Sequence, residues 1–284
     1  MIDSLIDLEK HLTDDEKLIC ESVSVFAKDK LQPIINQASE DGYFPKDVVK
    51  DFAALGLFVM NLPTPYGLNL SKIAYGLVCQ ELEMVDSSFR SFLSVQNSLV
   101  MYPIFEFGSD VQKEQYLPKL ASGEYIGCFA LTEADHGSDP SSMQTTAKKN
   151  NGGWIINGSK MWITNAPIAD LIICWAMTDE GMRGFILDAD LSGITINKMN
   201  HKMSLRASDT GEIIFKDVQV SDNALLPGTS TGLVSALKCL TQARYGICFG
   251  AIGAAISCLE TALDYAKQRT QFGKPIAKIG RAHV

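Results

Sequence analysis

The stretch Gly127-Cys-Phe-Ala-Leu-Thr-Glu-Ala-Asp-His-Gly-Ser-Asp-Pro140, followed by Lys160-Met-Trp-Ile-Thr-Asn165, decides the reading of this chain. The apolar run from Ile126 to Leu131 predicts a strand that opens into Thr132 and the small, polar Gly137-Ser138-Asp139. A second β-prone piece brings Trp162, Ile163 and Thr164. Together they suit a flat, polar ring. An indole covers one face, while hydroxyls and backbone N–H groups reach heteroatoms at the edge. Ser and Thr beside Gly are otherwise ordinary turn chemistry, so the surrounding order of elements carries weight.

Before this stretch, residues 1 to 124 read as helical. Thr13-Asp-Asp-Glu16 is a capping box, and Leu18, Ile19, Val23 and Phe26 follow on one predicted face. Pro45 suits a first helical turn, and Val48, Phe52 and Leu55 keep helical spacing until Gly56 stops it. Pro63-Thr-Pro-Tyr-Gly67 reads as a loop. Further helices are expected over Ile73–Met84 and Val95–Phe107, with Asp86–Ser94 between them, and Ser109 caps another. From 125 to 228 the pattern changes to short strands, including Trp154–Ile156, Leu171–Trp175, Gly184–Leu187 and Glu212–Phe215, which predict an antiparallel barrel or sandwich. Residues 229–278 read as helical again. One long helix cannot bury its own apolar face. The closing Ile279–Val284 breaks the pattern and is expected to be a non-native tail.

The 284 residues carry a net charge of −8, with 46% hydrophobic and 20% charged residues. This is the balance of a globular enzyme, with no basic excess to meet nucleic-acid phosphates. The seven cysteines are scattered without a C-x-x-C pair, which predicts reduced, mostly buried thiols. The four histidines form no ligand pattern, so no structural metal is expected. No run of about 18 apolar residues suggests a membrane span. The acidic start reads as neither a secretory nor an Arg-rich transit signal. A cytoplasmic setting is expected, or the mitochondrial matrix after processing.

The order Leu-Thr-Glu…Gly-Ser-Asp, Trp-Ile-Thr-Asn and Arg269-Thr-Gln-Phe-Gly-Lys-Pro275 resembles the acyl-CoA dehydrogenase family. The resemblance implies an α+β multidomain fold: an N-terminal helical domain, a middle β-domain and the start of a C-terminal helical bundle. It implies FAD held by Phe129, Leu131, Thr132, Gly137, Ser138, Trp162, Ile163 and Thr164. Arg269 and Phe272 would reach the FAD of a neighbouring subunit in a homotetramer. Ser138, Leu237 and Arg244 would meet the acyl-CoA, and an electron-transferring flavoprotein would accept the electrons. Where the family often has Pro after Thr-Glu, this chain has Ala134-Asp-His136, so the loop is expected to be less rigid.

Within the family, Asp86–Ser94 is most similar to glutaryl-CoA dehydrogenase, whose substrate ends in a carboxylate. Arg90, Ser91 and Ser94 would hold that group, since a planar Arg fork matches a carboxylate and a fatty tail does not. Arg90 in an ion pair with Asp86 is the plainer reading. The resemblance also implies oxidation and decarboxylation to crotonyl-CoA. No Glu in the chain matches the family's catalytic base, which is expected beyond residue 284, so a fragment of low activity is expected. Another short-chain acyl-CoA dehydrogenase, an acyl-CoA oxidase and a non-catalytic flavin- or CoA-binding module are the alternatives.

Overall fold

The computed structural model describes residues 8–280. Residues 1–7 of the acidic start and residues 281–284 of the expected tail lie outside the described residues.

Among the described residues seven α-helices come first: α1 (Asp14–Phe26), α2 (Gln32–Asp41), α3 (Val48–Ala54), α4 (Lys72–Val85), α5 (Ser87–Ser94), α6 (Tyr102–Phe107) and α7 (Asp110–Ala121). Both capping boxes form: Thr13 with Glu16, and Ser109 with Gln112. On α1, Val23 is buried as expected, but Leu18 is 63% exposed. The apolar face of α1 is therefore narrower than its spacing suggests.

The segment Asp86–Ser94, expected to lie between helices, is itself helical from Ser87. The Asp86 carboxylate accepts the Ser88 N–H at 2.7 Å and starts a new helix where α4 ends. Arg90 is therefore a buried mid-helix residue.

Two π-helical turns, Ala27–Leu31 and Val95–Met101, follow α1 and α5. Each runs up to a proline, Pro33 or Pro103. A proline lacks an N–H and its ring crowds the carbonyl four residues back. A wider turn relieves both, and Gln32 N–H and Tyr102 N–H each donate five residues back, to Ala27 O and Asn97 O.

The second π-turn anchors the first strand. Gln96 is fully buried, donates to Leu120 O and Tyr125 O, and accepts Gly127 N–H at 3.0 Å. A Cβ at Gly127 would lie 2.4 Å from Val100, so only glycine lets the strand approach this closely. Gln96→Ala would strand three buried backbone groups. A loss of about 2–3 kcal/mol in chemical denaturation is expected. A loss under about 1 kcal/mol would mean that water replaces the amide.

The strands are β1 (Gly127–Ala130), β2 (Thr146–Asn150), β3 (Gly153–Thr164), β4 (Leu171–Thr178), β5 (Gly181–Asp188), β6 (Ile194–Lys198) and β7 (Thr210–Ser221). They form one seven-stranded sheet in the order β1-β4-β2-β3-β7-β6, with β5 also paired to β4. The sheet is mixed rather than wholly antiparallel, because β1 runs parallel to β4. A parallel neighbour needs a long crossover, and residues 131–170, which include the Thr132–Pro140 loop and the β2–β3 hairpin, supply it.

Helix α8 (Leu233–Gln268) then packs along α4. Its composition is interrupted by Gly, Ser and Thr, yet as a helix it is long and apolar enough to cross a membrane by length and composition. Val234, Leu237, Ile247, Ile252, Leu259 and Tyr265 stay exposed on it. A short hairpin, Thr270–Gln271 with Lys274–Pro275, follows.

Candidate active site

A cavity of about 370 Å³ opens where the π-turn Val95–Met101, the sheet edge and α8 meet. It is lined by Phe129, Leu131, Thr132, Gly137, Ser138, Trp162, Ile163, Thr164, Leu237 and Arg244, and also by Val95, Leu99, Pro140 and Leu240. Segments far apart in the chain are thus gathered at one place. Val95, Leu99 and Leu240 look like ordinary core positions in the sequence. The π-turn and the helix packing bring them to the cavity.

Trp162 has φ +63° and is 63% exposed, at an irregularity in the β3–β7 ladder between Lys160 and Ile163. A left-handed backbone is uncommon for a bulky residue, and here it accompanies an indole turned out of the sheet. None of the hydrogen bonds among the described residues engages the hydroxyls of Thr132, Ser138 or Thr164. Arg244 is exposed and makes no hydrogen bond or ion pair among them. Three uncommitted hydroxyls and an open indole fit a planar, polar ring, and the unpaired guanidinium is available to a second polar ligand beside it.

The loop that carries Gly137 and Ser138 is tied down by a buried ion pair. Glu133 accepts Gln144 N–H at 2.7 Å, Thr145 N–H at 2.9 Å and the Lys160 ammonium at 2.9 Å. Lys160 is fully buried and also donates to Leu131 O. Burial raises the Glu133 carboxyl, but Gln144, Thr145 and Lys160 outweigh it and hold it at about 2. Glu133 is thus a fixed carboxylate. Lys160 was legible only as a motif letter, because a fully buried lysine does not announce itself in a β-prone run. Among the described residues, no carboxylate lines the cavity.

Arg90 does not line the cavity, and its partner is Glu83 rather than Asp86. Its Nε lies 2.5 Å from Glu83 Oε2 and its Nη2 lies 3.5 Å from Oε1, with side chains only 10% and 9% exposed. The Ser87 hydroxyl donates to the same carboxylate at 2.7 Å. Glu83 escaped the sequence reading because it sits seven residues upstream, on another helix. Ser94 is buried one turn beyond Arg90, and Ser91 is half-buried. Arg269 and Phe272 stand outside the cavity, both exposed, with Phe272 at φ +51°. A larger groove, about 640 Å³ between α7 and the sheet, is lined by Asp188 and Asp222 and by none of the residues expected to meet FAD or acyl-CoA.

A helical domain, a mixed sheet and a long helix meet at a cavity of mixed apolar and hydroxyl lining, a three-part architecture of the flavoenzyme type. The sequence profiles for the acyl-CoA dehydrogenase N-terminal, middle and C-terminal domains match residues 13–124, 128–218 and 230–279. The chain belongs to the acyl-CoA dehydrogenase family. It is 38% identical over 273 residues to an acyl-CoA dehydrogenase of Bacillus subtilis, covering 94% of this chain and 72% of that one. It is 35% identical to the mitochondrial short-chain specific acyl-CoA dehydrogenase of Bos taurus, covering 94% of this chain and 66% of the bovine length. Two structures of glutaryl-CoA dehydrogenase from Mycobacterium smegmatis superpose with a TM-score of 0.94. One is in complex with FADH2, at 44% identity over 96% of this chain and 70% of that one. The other is 48% identical over 97% and 71%.

Proposed function

We propose that this chain binds FAD and a short acyl-CoA, and serves the α,β-dehydrogenation of glutaryl-CoA. The observation that carries the flavin part is the exposed indole of Trp162 beside the uncommitted hydroxyls of Thr132, Ser138 and Thr164. Those hydroxyls would bind the ring edge and the sugar-alcohol chain, and Trp162 would cover one ring face. Arg244 would orient the thioester end. When bound, the flavin supplies the hydride acceptor. Among the described residues no carboxylate lines the cavity to accept the α-proton, so slow turnover or none is expected.

For the substrate, the Arg90 fork is buried and held by Glu83, with Nη1 outside that pair. With Ser94 one turn away, it would receive a distal carboxylate. Loss of that carboxylate as carbon dioxide would give crotonyl-CoA, and the electrons would pass to an electron-transferring flavoprotein. Arg269 and Phe272, exposed on the terminal hairpin, would meet the FAD of a partner subunit in a homotetramer. The buried thiols of Cys79, Cys128, Cys174 and Cys239, none of them in a disulfide, suit a reducing compartment, cytoplasmic or matrix. One observation favours a second reading. Glu83 already neutralises Arg90, so an uncharged short acyl chain would suit the site as well.

Trp162 provides the test. The chain has three tryptophans, and Trp154 and Trp175 are 9% and 0% exposed. Titration with FAD should quench the emission and shield it from acrylamide, and Trp162→Phe should abolish most of both effects. Trp162→Ala should weaken FAD binding by about tenfold, or ~1.4 kcal/mol. Emission that does not respond to FAD would sink the flavin reading. Glutaryl-CoA and butyryl-CoA titrated calorimetrically into the FAD-supplemented protein then separate the two substrate readings.

A further inference from the structure

We infer that Gly250 is a positioning residue whose missing side chain sets the Glu83–Arg90 pair, and through it the preference for a thioester with a distal carboxylate. The second clause rests on the glutaryl-CoA reading above.

Three buried glycines of α8, at 246, 250 and 253, lie on the face packed against α4. Their neighbours differ. A Cβ at Gly253 would lie 2.2 Å from the carbonyl oxygen of Gln80, so that glycine sets the distance between two helix backbones. A Cβ at Gly246 would lie 3.0 Å from the Cys79 thiol and 3.2 Å from the Tyr75 hydroxyl. A Cβ at Gly250 would lie 1.9 Å from Glu83 Oε2, 2.9 Å from its Cδ and 3.1 Å from Arg90 Nε. Of the three, Gly250 alone faces the ion pair, and what it meets are the far ends of flexible side chains.

An alanine at 250 therefore has a way to fit. The Glu83 carboxylate swings aside while the helices stay where they are, and alanine is the better helix former. The pair is what gives way. Arg90 Nε then loses the acceptor that holds the guanidinium plane, and an unheld fork is a poorer template for a bidentate carboxylate.

The experiment compares wild type, Gly250→Ala and Gly253→Ala in the FAD-supplemented protein. One readout is solvent exchange of the Arg90 Nε–H by 15N NMR, assigned by its disappearance in Arg90→Lys. The other is the ratio of Kd values for butyryl-CoA and glutaryl-CoA. In wild type a protected Nε–H is expected, with glutaryl-CoA bound about tenfold tighter or more. In Gly250→Ala exchange should accelerate about tenfold or more, and the ratio should fall to within about twofold of one. Gly253→Ala should lower the Tm and leave both readouts unchanged.

A wild-type preference that survives intact or grows in Gly250→Ala overturns the inference. So does an equal change in Gly253→Ala, which would make the effect one of helix packing. If Gly250→Ala does not fold, Glu83→Gln takes its place, and an unchanged ratio there overturns it too. A wild type with no preference fails the glutaryl-CoA reading. Nε–H protection lost only in Gly250→Ala would then still support the setting of the pair by Gly250.

Discussion

Arg90→Ala is expected to lower the stability of the protein by about 3–5 kcal/mol, because it leaves Glu83 buried with a single hydroxyl donor. The cost comes from stranding a charge, so removing both charges should cost far less. Arg90→Met with Glu83→Leu replaces the pair by apolar groups of similar size and should come close to wild type in urea denaturation. In the FAD-supplemented protein, Arg90→Ala should also weaken glutaryl-CoA binding by roughly 30-fold or more, about 2 kcal/mol. Butyryl-CoA should change little. Arg90→Lys should recover only part of the glutaryl-CoA affinity, since an ammonium lacks the fork. Equal losses for both thioesters would mean that Arg90 supports the fold alone, and the chain would then be read as serving an uncharged short acyl substrate.

Lys160→Met should have a comparable effect on stability, also about 3–5 kcal/mol, for the same reason at a different place. The fully buried ammonium bridges Glu133 and Leu131 O, and Glu133 in turn holds the N–H groups of Gln144 and Thr145. Removing Lys160 loosens both ends of the loop that presents Gly137 and Ser138, so FAD affinity should fall along with stability. The pH dependence supplies an independent check. The Glu133 carboxyl is held at about 2 in the folded protein, against an ordinary value of roughly 4.3. A depressed folded value contributes stability that is fully present above the unfolded value and is lost as pH falls towards about 2. Wild type should therefore lose stability through that window more steeply than Lys160→Met, read as Tm against pH. Parallel curves would show that the two backbone donors alone hold the carboxylate down.

The order of helical domain, sheet and long helix was legible in the sequence. Capping boxes, two-residue alternation and turn residues are local signals, and they act within a few positions of one another. The Thr13 and Ser109 caps and the strands over Trp154–Ile156 and Leu171–Trp175 rest on signals of that kind. The same holds for the residues gathered around the cavity. Thr132, Ser138, Trp162 and Thr164 belong to short segments whose combination of Trp, hydroxyls and Gly is distinctive without reference to anything distant.

What the tertiary structure alone decided are the pairings. Glu83 with Arg90 and Glu133 with Lys160 each join charges on different elements, and no spacing rule links residues that meet across a helix junction or a crossover. The start of α5 was hidden because Asp86 both ends one helix and caps the next. The entry of Val95 and Leu99 into the cavity depends on a π-turn set by Pro103. Burial explains the rest: a charge removed from water must find its partner in three dimensions, and where that partner stands follows from how the helices and the sheet pack. Gly250 shows this most directly, since a glycine in an apolar helix acquires its meaning only from the ion pair it leaves room for.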